Sequence, residues 1–93
     1  MNYKIRLSSQ ARLDLLAFSP TLQDHLLHEL DRFKAEPVTL SRKAHFPYPE
    51  NCQLFRPAPL FVELERHEFM VLFRYGQDEQ TLEIIGIGHY VTE

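Results

Sequence analysis

The residues best suited to chemistry stand side by side near the C-terminus, where His89 is followed by Tyr90. An imidazole with its ordinary pKa of about 6.5 both gives and takes protons near neutrality, and a neighbouring phenol donates to a reacting oxygen or orients it. Adjacent residues of an extended chain point to opposite faces, so the two serve one site only where the strand has ended or bent at Gly88. The other reading is structural, with His89 capping the edge of a sheet and Tyr90 covering its core. His25 and His28 share a helix face beside Asp24 and Glu29, but the order HLLHE departs from the HExxH spacing of zinc proteases and no third ligand is evident, so this is read as a solvated face. His45 and His67 are solitary loop residues with no assigned role. Cys52 is read as a small buried side chain, since no basic cluster surrounds it. There is no glycine-rich phosphate loop and no nucleophilic serine or cysteine motif.

Such a pair needs a rigid element behind it. Residues 69–75 are almost wholly apolar and rich in β-branched and aromatic types, the composition of a central strand buried on both faces. A polar connection over 76–80 leads to a second apolar run, 82–87, expected to pair antiparallel with the first and to end just before His89. At the other end of the chain, Tyr3, Ile5 and Leu7 alternate with Lys4 and Arg6, the period of a strand with one buried face.

Ser8 or Ser9 caps a short helix whose apolar members are Ala11, Leu15, Leu16 and Phe18. Ser19-Pro20 opens a second helix, with Leu22, Leu26, Leu27, Leu30 and Phe33 along one face, and Pro37 stops it near Ala35 or Glu36. The segment 37–59 holds five of the six prolines and predicts loop, with one short edge strand at 52–56. Its Phe46, Tyr48 and Phe55 lie down on the core or form a partner surface. A strand over 61–66 and a turn at 66–68 complete the order. The fold class is α+β in two layers: an N-terminal strand, an αα-hairpin, then an antiparallel meander packed on the helices.

From 69 to 90 the chain reads FMVLFRYGQDEQTLEIIGIGHY. Two strands joined by an acidic turn and closing on Ile87-Gly88-His89 resemble the C-terminal half of the RelE/ParE superfamily, plasmid-stabilisation-type toxins of bacterial toxin–antitoxin pairs. Strand, helical hairpin and sheet follow the same order, so the resemblance spans a single domain, 1–93. It implies a toxin, active as a ribosome-dependent endoribonuclease that inhibits translation. His89 and Tyr90 would be catalytic, with Arg74, Arg66, Arg56 and Lys43 as the cations available to the scissile phosphate. Such cleavage needs a base for the 2′-hydroxyl, an acid for the leaving 5′-oxygen and positive charge for the phosphorane, with no metal and no cofactor.

The implied partners are an antitoxin protein, the ribosome and messenger RNA, with a homodimer as a further assembly and no membrane. Many members carry an arginine directly after the aromatic opening the central strand and another near the end of the preceding strand; Met70 and Glu65 stand in those places. Methionine does not pair with phosphate and glutamate repels it, while Arg74 lies about 13 Å beyond Met70 at ~3.3 Å per residue. Two other readings therefore stay open: a gyrase-inhibiting toxin that acts by binding, and a non-catalytic interaction domain of the same fold.

The bulk numbers set limits. Ninety-three residues suit one sheet with one layer of helices. A net charge of −3 argues against tight autonomous binding to nucleic acid, which normally rests on a basic surface. A lone cysteine, an N-terminus without a signal-peptide core and the lack of any long apolar run lead to an expected cytoplasmic location.

Overall fold

A computed structural model describes residues 3–43, 51–78 and 80–92. The first strand, β1 (Lys4–Leu7), leads directly into α1 (Ser9–Leu16). Ser8 caps this helix by accepting the Ala11 N–H at 3.0 Å, which satisfies one of the donors a helix start leaves open. The second helix, α2 (Pro20–Phe33), opens on Ser19, whose hydroxyl accepts the Leu22 N–H at 3.4 Å, with proline in the first turn. Leu22, Leu26, Leu30 and Phe33 are its buried apolar residues. Residues His45, Phe46 and Tyr48, and the expectation attached to the last two, lie outside the described residues.

Between Pro37 and Pro59, where loop was expected with one edge strand, the chain forms a one-turn helix α3 (Pro37–Leu40) and two short strands, β2 (Ser41–Lys43) and β3 (Gln53–Phe55). Each strand has three residues, and β3 stops just before Arg56-Pro57, but β3 is interior, lying between β5 and β2. Next, β4 (Leu60–Val62) and β5 (Glu65–Tyr75) form a hairpin that turns at Glu63 and Leu64, not at 66–68. Glu63 takes a left-handed φ of 57° to make this turn, as tight hairpin connections demand. Glu65 thus opens β5 and does not close the preceding strand.

The last strand, β6 (Thr81–Thr92), sits between β1 and β5 in the order β1-β6-β5-β3-β2, with β4 on the same edge of β5 as β3. β1 runs parallel to β6 and all other pairs are antiparallel. A parallel pair needs a crossover, and α1 and α2 lie within it. Their buried residues meet Phe55, Phe69, Val71, Phe73, Leu82, Ile84 and Ile87 in one core. β5 is central but buried on one face only: Phe69, Val71 and Phe73 turn inward, while Met70 and Leu72 are half-buried and Arg74 is exposed. Among the described residues no helix covers that second face, and none is long and apolar enough to cross a membrane.

Candidate functional site on the open sheet face

The orientation of the C-terminal residues depends on one irregularity. Leu72 pairs with Gly86 and Phe73 with Ile84, so Ile85 is an extra residue in β6. A bulge of this kind reverses the inward and outward alternation beyond it. Leu82 and Ile84 face the core before it; Ile87, buried, and His89 do so after it. Backbone groups beside it are taken by Ser8, the cap of α1, and by Asp14 within that helix. The Ser8 hydroxyl donates to the Ile85 carbonyl at 2.9 Å, and the Asp14 carboxylate accepts the Ile87 N–H at 2.9 Å.

β6 continues to Thr92, so the expected strand end before His89 does not occur. Consequently His89 and Tyr90 face opposite sides. His89 lies across from Phe69 and stacks on its ring with centroids 5.0 Å apart. Phe18 meets it edge-on at 5.1 Å. His67, expected alone in a loop, lies in β5, and its Nδ1 is 2.9 Å from His89 Nε2 with the ring planes within 4°. One nitrogen carries the hydrogen and the other the lone pair. Burial, and then the charge on His67, push the His89 imidazole below its usual pKa. Glu65 reaches the far nitrogen of His67 at 3.8 Å. His25 is half-buried, not solvated: it bonds the Ala58 carbonyl at 2.6 Å and lies 5.9 Å from the Phe69 ring.

Tyr90, 47% exposed, is on the helix-free face directly across from Glu68. Glu68 holds Arg66 at 3.3 Å, and Arg66 lies over the ring of Phe61, its partner across the hairpin, at 5.7 Å. Tyrosine, carboxylate and guanidinium therefore gather at one end of the open face. Further along, Met70 opposes Gly88, and Leu72 opposes Gly86 and Leu54, which leaves the middle of the sheet low and apolar. Arg42, across from Leu54, borders that middle. Arg74 is opposite Glu83 and contacts it at 3.5 Å. Lys43 and Arg56 are exposed at and beyond the ends of β2 and β3, and Lys43 shares a recess with Arg74. Among the described residues no group of three His, Cys, Asp or Glu could hold a metal ion.

Of the residues singled out from sequence, Tyr90 and Arg66 share one end of the open face, Arg74 lies on the same face at the other end of β5, and His89 lies behind the sheet. Glu68, Arg42 and Arg6, the last across from Glu83 on the same face, were missed. For Arg6 the signal was present, since it alternates with Ile5 and Leu7. Glu68 was hidden by the misplaced turn, and Arg42 by the proline-rich segment.

The chain superposes over 97% of its length on all of a chain from the RelBE2 toxin–antitoxin complex of Mycobacterium tuberculosis, with a TM-score of 0.75 at 17% identity. A mutant of the E. coli toxin RelE in the free state gives 0.65 at 13% identity, over 95% of this chain and 83% of that one. An archaeal RelE–RelB complex from Pyrococcus horikoshii gives 0.58 at 13% identity, over 94% and 93%. The chain thus has the fold found in these RelE structures. No protein-family model matches it, and no curated protein is similar to it in sequence.

Proposed function

We propose that this chain, read as one domain over 1–93, is the toxin-like component of a bacterial toxin–antitoxin pair and cleaves RNA from the open face of its sheet in the cytoplasm. The observation that carries the reading is the meeting of Tyr90, Glu68 and Arg66 on a face that no described helix covers. Its fold supports the same reading, through its likeness to chains of toxin–antitoxin complexes. Glu68 takes the 2′-hydroxyl proton, the 2′-oxygen attacks phosphorus, and Arg66 neutralises the phosphorane. The bond to the 5′-oxygen breaks as Tyr90 supplies its proton, leaving a 2′,3′-cyclic phosphate and a free 5′-hydroxyl. His89, enclosed by Phe18, Phe69 and His67, positions the strand from behind.

An antitoxin fits the opposite side. Leu13 and Leu16 on α1 and Leu27 on α2 are 63%, 64% and 49% exposed, anchors suited to the apolar stripe of an amphipathic helix.

One observation favours a toxin that acts by binding alone: Arg66 and Arg74, the arginines of β5, each sit against a glutamate, with Met70 between them. Message integrity in a translation extract separates the two. Cuts on translated messages with purified protein, lost in a folded Tyr90→Phe variant, are the expected result. Intact messages beside demonstrably folded protein reject the nuclease and leave binding.

A further inference from the structure

The edge strand β1 and its neighbours β6 and β5 present a row on the open face in which Arg6 of β1 opposes Glu83 of β6, and Glu83 opposes Arg74 of β5. Beside this row lies a recess of about 300 Å³ lined by Arg6, Arg74, Glu83, Ser8, Ser9 and Ile85. Glu83 occupies Arg74 at 3.5 Å. Arg6 has no ion pair or side-chain hydrogen bond among the described residues. With two guanidiniums and one carboxylate around it, the recess keeps one positive charge in excess and an unused planar fork of N–H donors, the arrangement that suits a phosphate oxygen.

We propose that this recess is a backbone phosphate subsite for single-stranded RNA, upstream or downstream of the Tyr90 end of the same face; the assignment of the ligand rests on the nuclease reading above. Arg74 lies six residues along β5 from Glu68, the residue across from Tyr90, which is about 20 Å at ~3.3 Å per residue. Arg42 stands between the two ends, across from Leu54 in the Leu72 row. A strand lying over the low Gly86 and Gly88 region would meet Arg6 and Arg74 at one end and Arg66 at the other.

The test is fluorescence anisotropy with a short, labelled, 2′-O-methylated RNA, which binds without being cut, titrated at low and moderate salt. Arg6→Ala and Arg74→Ala should each weaken binding about tenfold, the size expected of a charge-assisted hydrogen bond. Each should also reduce the salt slope by about 0.7, the contribution of one phosphate on a single strand. Glu83→Gln should tighten binding, because it frees Arg74 from its competitor; a purely structural Glu83 would do the reverse. Arg12→Ala, an exposed arginine on α1, should change neither affinity nor slope, and circular dichroism checks that every variant is folded. Unchanged affinity and slope in both arginine variants, or no RNA binding by the wild-type protein at low salt, overturns the subsite. Intact messages in the extract with the wild-type protein, beside arginine-dependent RNA binding, overturn only the nuclease.

Discussion

At the scale of single residues, the most consequential pair is His67 and His89. Their nitrogens meet at 2.9 Å inside a shell made by Phe18 and Phe69, with Glu65 on the outer side of His67 and His25 beyond Phe69. An imidazole titrates near 6.5 when unhindered, and burial followed by the His67 charge lowers the value for His89 in the fold. The unfolded chain therefore takes up this proton more readily than the folded one. Stability from His89 is fully present above 6.5 and declines as pH falls from there through the lowered folded value. Urea unfolding across that window should show the decline in the wild-type protein and a shallower one in His89→Phe; parallel curves would show that the pair carries no such linkage. Glu29 behaves in the same sense at lower pH. Its burial works to raise its pKa, but the Arg32 guanidinium and the Ala58 N–H outweigh this and hold it below the usual carboxylate value.

At the scale of elements, the contact that decides the site is between α1 and the bulge in β6. Ile85 is tolerable in the ladder because Ser8 and Asp14 take up the backbone groups at 85 and 87. A buried or half-buried amide left without a partner costs about 1–3 kcal/mol. Asp14→Ala should destabilise the protein by about that amount and speed hydrogen exchange at the Ile87 amide above that of Val71 and Phe73. Exchange at Ile87 unchanged from wild type would mean that the helix does not secure the bulge. Ser8→Ala removes both the helix cap and the bond to Ile85, so it should cost more than the roughly 1 kcal/mol of a cap alone.

At the scale of the whole molecule, a single core ties both helices to the sheet. Phe33 is its hub, stacked on Phe55 at 4.2 Å and edge-on to Phe73 at 4.8 Å. Phe33→Ala should cost about 3–5 kcal/mol, a large part of the ~5–15 kcal/mol typical of a small protein. It should lower the urea midpoint without changing the slope, because the core unfolds as one unit. Two transitions would mean that the helical hairpin and the sheet come apart separately. Cys52 is buried and unpaired among the described residues, so reductant should leave the midpoint where it is.

The amino-acid order by itself determined the elements whose signals are local. Ser19-Pro20 fixes where α2 starts, the leucine spacing fixes which of its faces is buried except at Leu27, which is exposed, and the alternation of Tyr3, Ile5 and Leu7 marks β1, because capping and side-chain periodicity act within a few residues. The strand over 69–75 and its turn were legible for the same reason. The pairing of His67 with His89 was not, since it joins residues 22 apart through strand register. Nor was the face each C-terminal residue presents: one extra residue, Ile85, reverses it, and that residue is held in place by Ser8 and Asp14 from the other end of the chain. Tertiary structure alone decided that Tyr90 and not His89 meets the open face, because a strand's alternation is local while its phase is set by its neighbours.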